Sequence, residues 1–595
     1  MLQYFRLPED IYFWGQDRYG ALVPLLGQVP FRLLGINSLV SESITHFLVL
    51  VLGFLALSSF IKERRNRIIF AVAWFFPAIY YTDLLRNVFG LQYSLTGILF
   101  FFIKYYDEKF SGYELDWPRK LIWLLIILFI LIMAFWVSEL SASIILSFII
   151  IFIINYIRKN KIKKLLWKPE LYFSIFALLL TYLVIFSLKK LNPPMSIDQF
   201  GNSLLNSFPG IIMATDLLLS SLVSIFTFQV PEFLFSIYSW MIIVLIVLLF
   251  INRRKIKVPK NELPWILLFV LDIVILIGTV ICSEWALNNG MPRRYFIGVH
   301  ISFWLAFLMI ICHIEYLKTK KLIFYIALAT VVIGSVSTIY QIGVIQSGSF
   351  QPKAKLAKEF TRLGKTGIIS NYWNSYSNSF AEPAMIKATP YELSYSVRNY
   401  TMVDSVFQQP RIFLVKDMWL EDFPGQIIQF DRTLIRKGSA FFIAGCTVNE
   451  YTIKRNWEFN ARDLKYQPDL LVYDKMLDKE VIKVGMDFQN SIYKYLVYGP
   501  YLTLLPGKYE AVFSLRVDSL LIKDRDIASL DVASEYGKTK LAQFVMKSSV
   551  IQSTGEFYNY KLEFALLEKC TTLEFRIYYF GNAILTFDQV CVRSL

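Results

Sequence analysis

Ten predominantly apolar runs follow one another along the first three-fifths of the chain, at 41–61, 68–82, 88–103, 121–137, 140–157, 171–188, 237–251, 263–282, 296–314 and 322–344. Runs near twenty residues are long enough to cross a hydrocarbon core of about 30 Å as helices, and in lipid only helices or closed barrels satisfy every backbone polar group. The chain is therefore expected to fold as a polytopic α-helical membrane bundle of about ten spans. The crowded run at 208–235 has room for a re-entrant segment or one more span.

Charge patterning orients the bundle. The net charge of +15 does not point to nucleic acid, because the basic residues gather in short loops at 62–67, 158–164, 252–257 and 318–321. If the spans alternate, all four loops fall on one side, and the positive-inside rule makes that side cytoplasmic. The opening stretch, the tight turn at Ser138 and Glu139, the loops at 189–235 and 283–295, and everything after about Gln346 then lie outside the cytoplasm. No span or signal peptide stands ahead of Ser41, so either the short N-terminus is translocated directly or, the favoured expectation, a further helix precedes Met1. Five scattered cysteines without a CxxC pair form neither a disulfide scaffold nor a metal-site spacing, and Cys570 and Cys591 are expected to stay unpaired.

Four regions follow: an external loop with interfacial helices at 1–40, the bundle at 41–345, a small α/β domain at 350–460 and a jelly-roll-like β-sandwich at 465–595. After Gln346 apolar runs shorten and charges recur every few residues. "TGIISNYW", "RIFLVKD" and "SAFFIAGCTV" read as strands of the α/β unit. In "GKYEAVFSLRVD", Tyr509, Ala511, Phe513, Leu515 and Val517 share one strand face, the mark of a half-buried sheet.

The polar residues on the external side carry the candidate chemistry. Asp17 and Arg18 stand among aromatics in "PEDIYFWGQDRYGALVPLLGQ", just before an amphipathic run suited to the membrane interface. An ionisable residue held there is a candidate general base, or else a cap that orders the loop. Glu139, between two spans with almost no loop, is expected to point into the bundle. Arg86, and Arg293, Arg294 and Tyr295 in "GMPRRY", lie on a face where the positive-inside rule disfavours arginine, and a guanidinium fork suits phosphate oxygens. The plainer reading is that such arginines reach up to lipid headgroups.

With the acid in the first external loop of "WGQDRYG", the interfacial run after it, the many-span bundle, the external "GMPRRY" and the external C-terminal region, the chain resembles the GT-C class of integral membrane glycosyltransferases. The likeness is to bacterial relatives of the family 39 and oligosaccharide-transfer enzymes. "YGPYLTLLPGKYEAVFSLRV" is similar to carbohydrate-binding jelly rolls. The resemblance implies a sugar donor linked to polyprenyl phosphate and a glycan, lipid or protein acceptor, in the bacterial cytoplasmic membrane with the C-terminal domains outside. It implies Asp17 as the base, Arg293 or Arg294 on the phosphate and Glu139 as a second acid lining the cavity, with Arg18, Arg86 and Tyr295 in the same binding set. No cofactor is called for; a divalent cation is compatible but nothing indicates one. Two departures stand out: no span precedes the acidic loop, and arginine follows the acid where many members place a second acid.

Two other readings belong to different classes. A transporter or flippase of lipid-linked sugars would use the acid and arginines as a permeation path, and a non-catalytic scaffold would use the bundle as anchor and the sandwich to hold polysaccharide. Transport needs polar residues continuing through the midplane, where Asp272 is the clearest example.

Overall fold

The computed structural model describes residues 10–12, 19–36, 38–85, 88–110, 117–159, 169–191, 205–340, 356–393, 400–485, 488 and 495–595. They form two compact units, one built mainly from the chain up to Lys358 and the other mainly from Glu359 onward.

The first unit is helical. α1 (Leu22–Leu34) buries Leu22 and Val23 and exposes Leu26, Val29, Leu33 and Leu34, as an interfacial helix should. It is followed by α2 (Ser38–Ser58), α3 (Arg64–Phe75), α4 (Val88–Phe110), α5 (Trp117–Val137), α6 (Ser141–Lys159), α7 (Pro169–Leu191), α8 (Phe208–Phe226), α9 (Phe233–Ile251), α10 (Leu263–Cys282), α11 (Glu284–Asn288), α12 (Ile297–Ile311) and α13 (Leu317–Tyr340). Among the described residues ten of these are long and apolar enough to cross a membrane, and the protein is an integral membrane protein.

One end of the bundle is knit by charge. Glu262, just before α10, takes Lys62 and His313, while Lys320 reaches Glu63 and Lys257 pairs with Glu315 at 2.9 Å. These residues belong to or flank the basic loops, so this is the basic end; the helix ends opposite it make up the far end.

The count of ten matches the sequence expectation, but its membership differs. The expected span at 68–82 is not one helix. α3 stops at Phe75 because Pro77 lacks an N–H and forces the preceding residue out of the helical region, and the chain resumes as a 3-10 turn at Ile79–Leu84. The groups freed by the break are taken up by α13: Ser335 donates to the Phe76 carbonyl at 2.7 Å, Thr338 donates to the Pro77 carbonyl at 2.7 Å, and Ser337 accepts from the Ile79 N–H at 3.2 Å. Since Glu63 pairs with Lys320 near the start of α13, the stretch from α3 to the turn runs beside α13 from one end to the other. It crosses as a broken helix, which a membrane tolerates where a neighbour satisfies the backbone.

α8 is long enough to span yet does not carry the chain across. Asn206, before its first turn, bonds the Cys282 and Ile281 carbonyls at the end of α10, at 2.8 and 2.7 Å. Its last residue, Phe226, accepts from the indole of Trp240, only about 10 Å along α9 from that helix's far-end start. Both ends of α8 are therefore tied to the far part of the bundle, and Phe208, Ile212, Met213, Leu219 and Val223 are exposed along it.

The second unit holds two β domains. In the first, β1 (Thr366–Ser370), β2 (Ile386–Pro390) and β3 (Arg411–Lys416) are parallel, joined through α14 (Tyr372–Ala381) and α15 (Tyr400–Phe407). β4 (Gln426–Gln429), β5 (Arg432–Ile443) and β6 (Cys446–Ile453) extend the sheet antiparallel, in the order β2-β1-β3-β6-β5-β4. The α/β class agrees with the sequence expectation, but "SAFFIAGCTV" is not one strand: it covers the end of β5, a turn at Ala444 and Gly445, and the start of β6. The strand Asn456–Asn460, inside the bounds expected for this domain, pairs with the sandwich.

The second is a sandwich. One sheet is β16 (Phe557–Leu566), β13 (Gly507–Leu520), β18 (Ala583–Ser594), β10 (Lys479–Val484) and β9 (Leu471–Asp474), with β7 (Asn456–Asn460) also on β18. The other is β15 (Thr539–Lys547), β14 (Asp526–Ser534), β17 (Cys570–Tyr579), β11 (Tyr495–Tyr498) and β8 (Lys465–Tyr466), with β12 (Pro500–Leu504) on β17. Tyr509, Ala511, Phe513, Leu515 and Val517 all face the core against Leu530, Val532, Phe575 and Ile577, as the alternation required. Cys570 and Cys591 lie in different sheets as free thiols.

Candidate active site

At the far end the first described residues are pinned to the bundle. Tyr12 and Gly20 form an isolated β-bridge, Gly20 donates to the Trp136 carbonyl at 2.8 Å, and the Trp136 indole donates to the Ile11 carbonyl at 3.1 Å. Gly20 is required there, because a Cβ would sit 2.5 Å from the Trp136 oxygen. Asp17 and Arg18 lie outside the described residues, between these two pinned points in sequence, and Arg86 also lies outside them.

Three described aromatic residues join in a chain of rings. Tyr19, bonded to Arg18, meets Phe89 edge to face with centroids 6.3 Å apart, and Phe89, three residues after Arg86, meets Tyr295 in the same manner at 5.5 Å. Tyr295 immediately follows Arg293 and Arg294 in a 3-10 turn, Arg293–Phe296, which packs against the turn Ile79–Leu84. Tyr295 is buried, and its hydroxyl accepts the Trp285 indole N–H at 2.6 Å from α11. Tyr19, Phe89 and Tyr295, from three separate segments, thus converge, and their edge-to-face contacts suit the ring quadrupole.

The two described arginines have unspent donors. Arg293 lays its guanidinium on the Tyr80 ring, 4.8 Å from the centroid, and Arg294 lies 5.5 Å from the centroid of Tyr295. Among the described residues neither donates to a carboxylate or carbonyl. Tyr80 in turn stacks obliquely on Phe235 at 4.4 Å and donates its hydroxyl to Glu232, which precedes α9. Five fork-shaped N–H donors on an arginine held by a ring rather than by an acid are ready for an anionic oxygen. Near this end Oε1 of Gln92 and Oγ of Ser138 and Ser236, all on nearly fully buried side chains, have no partner among the described residues, and such atoms call for a polar ligand or water.

Glu139 departs from expectation. It does not point into the bundle; its side chain is about half exposed (49%) and pairs with Lys189 near the end of α7, because the Ser138–Leu140 turn sits at the surface where a lysine can reach it. Deeper in the bundle, Asp272 on α10 is fully buried and accepts from Tyr93 at 2.8 Å, Ser302 at 2.6 Å and Ser143 at 3.4 Å. Tyr80, Glu232 and Trp285 were missed from the sequence. The usable signal was a single glutamate, in "QVPEF", opening an apolar run on the far side, and a tyrosine in the same short stretch as Arg86.

In the sandwich, Tyr579 is core, its hydroxyl bonded to the Ala583 carbonyl. Tyr498 and Tyr501 lie outward under the Lys465 ammonium, 5.8 and 4.8 Å from their centroids.

No family model matches the chain, and no curated protein matches it. Among solved structures it is similar to ArnT from Cupriavidus metallidurans in the apo state, at 9% identity over 73% of this chain and 87% of that one, with a TM-score of 0.33. It is also similar to the C-terminal CBM6 of LamC from Zobellia galactanivorans, at 12% identity over 23% of this chain and 99% of that one, with a TM-score of 0.16. A carbohydrate-binding module of Cellvibrio mixtus lichenase 5A, solved with cellotriose, matches at 9% identity over 24% and 99%, with a TM-score of 0.17.

Proposed function

We propose that the protein is a GT-C-type membrane glycosyltransferase that moves a sugar from a polyprenyl-phosphate-linked donor to an envelope glycan, lipid or protein acceptor. The far end is the extracytoplasmic face of a bacterial cytoplasmic membrane. The observation that carries this reading is the ring chain Tyr19, Phe89, Tyr295 at one end of the bundle, with Arg293 and Arg294 just before its last member. Asp17, Arg18 and Arg86, close in sequence to its other members, belong to the same site on this reading. One acid among several arginines at a membrane surface fits transfer from a lipid phosphate. Asp17 takes the proton from the acceptor hydroxyl as its oxygen attacks the sugar, and the arginines hold the phosphate as it leaves with the bonding pair.

Asp272 weighs against a permeation path. Three hydroxyls saturate its carboxylate, which describes a fixed structural acid better than a stopping place for a moving charge. Glu139, held by Lys189, is dropped from the cavity lining. The sandwich, on this reading, holds a glycan, with the outward Tyr498 and Tyr501 as stacking surfaces.

The test is release of polyprenyl phosphate from a lipid-linked sugar pool by the purified full chain and by Asp17→Asn. A fall of about a hundredfold or more is expected for loss of a general base. Folded native protein that releases none would overturn the transferase reading.

A further inference from the structure

Glu232 and Arg293 both rest on the Tyr80 phenol, the carboxylate at its hydroxyl and the guanidinium on its face, yet they do not pair with each other. Left to themselves, a carboxylate and a guanidinium a phenol's length apart on flexible arms would form the bidentate pair that both geometries favour. That pair would consume the donors a phosphate needs. The Tyr80 hydroxyl occupies Glu232, Phe235 packs against the ring at 4.4 Å, and the ring face holds Arg293 without using its N–H groups.

We propose that Tyr80 is a positioning residue that keeps Arg293 open to a phosphate-bearing ligand by engaging the neighbouring carboxylate, Glu232, that would otherwise quench it. This rests on the reading of the far-end arginines as a lipid-phosphate site. Tyr80 need not touch the ligand; it acts through Glu232, whose charge would be the inhibitor of the site once released.

The arrangement makes a non-additive prediction. In the full chain in detergent micelles, farnesyl phosphate binding is followed by intrinsic fluorescence for wild type, Tyr80→Phe, Glu232→Gln, Tyr80→Phe with Glu232→Gln, and Arg293→Gln. Tyr80→Phe keeps the ring under Arg293 and frees Glu232, so binding should weaken about tenfold, the scale of one charge-assisted contact. Adding Glu232→Gln should bring it back to within about threefold of wild type, since the quenching charge is gone. A double variant as weak as Tyr80→Phe, or a Tyr80→Phe variant that binds normally, would sink the proposal. If Arg293→Gln binds as wild type does, the phosphate reading itself falls, and this proposal with it. If Arg293→Gln loses binding while Tyr80→Phe does not, only the role of Tyr80 is lost. Monodisperse elution of each variant separates these outcomes from misfolding.

Discussion

Arg293 sits 4.8 Å above the centroid of the Tyr80 ring, held there by an aromatic face and not by an acid. If its fork grips a phosphate during transfer, Arg293→Gln should lower kcat/KM about thirtyfold, the equivalent of about 2 kcal/mol for a hydrogen bond to a charged group. Arg293→Lys keeps the charge and loses the fork, and should recover only part of the loss. Steady-state kinetics on a lipid-linked sugar pool decides; unchanged kcat/KM in both variants would remove Arg293 from the site.

Phe89 is the ring shared by Tyr19 and Tyr295, at 6.3 and 5.5 Å. Phe89→Leu conserves most of its volume and should cost less than about 1.5 kcal/mol of stability. On the transferase reading it should nevertheless lower turnover about tenfold or more, because Tyr19 and Tyr295 lose the ring they share. Melting and turnover measured on the same preparation check this, and normal turnover would show that the ring chain is packing alone.

Gly298 opens the way for Tyr93 to reach Asp272. A Cβ at Gly298 would stand 2.0 Å from the Tyr93 hydroxyl, so Gly298→Ala must push the phenol off the carboxylate. The expected loss is about 2 kcal/mol or more, from overpacking together with a weakened buried hydrogen bond. Tyr93→Phe removes the bond without the clash and should cost less. The comparison is thermal unfolding in detergent.

Acid should loosen the sandwich through Arg516. Burial works to raise the pKa of Asp474, but the Arg516 guanidinium at 2.6 Å and the Met476 and Leu477 N–H groups outweigh it and hold the carboxyl below its ordinary value. A depressed carboxylate stabilises the fold above its unfolded pKa, near 3.9, and that stabilisation is lost as pH falls through the folded value. Hydrogen exchange across β9 and β13 in the full chain should therefore stay slow from pH 7 to about pH 4 and quicken below. Arg516→Met at neutral pH should cost about 3 kcal/mol by stranding Asp474, whereas Asp518 keeps Lys483 and Thr586, and it should cost a smaller amount at pH 3. Equal losses at both pH values would contradict the linkage.

Much of the architecture was legible because its determinants are local. Length and apolarity mark a membrane helix without reference to its neighbours, and the alternation from Tyr509 to Val517 names its buried face without knowing the opposing sheet. Pro77 breaks α3 inside what was expected as one span at 68–82, and the rescue of that break by Ser335, Ser337 and Thr338 had no local signal, since these lie some 260 residues away. α8 passes every test of composition for a span and fails only because Asn206 and Phe226 are tied to the same part of the bundle.

The site divides along the same line. Arginines at the end of the bundle opposite the basic loops can be picked out by sequence, because that depends only on loop position and span order. Whether an acid is free or spent depends on what the fold brings beside it. Lys189 claims Glu139, three hydroxyls claim Asp272, and a tyrosine 152 residues before it claims Glu232. The sequence alone determined that this chain carries about ten helices long and apolar enough to cross a membrane, followed by a region rich in β-strands, since burial of apolar surface and backbone hydrogen bonding act along each segment. Only the tertiary structure decided which charges remain available for chemistry, because pairing is a matter of distances of a few ångströms between groups far apart in the chain.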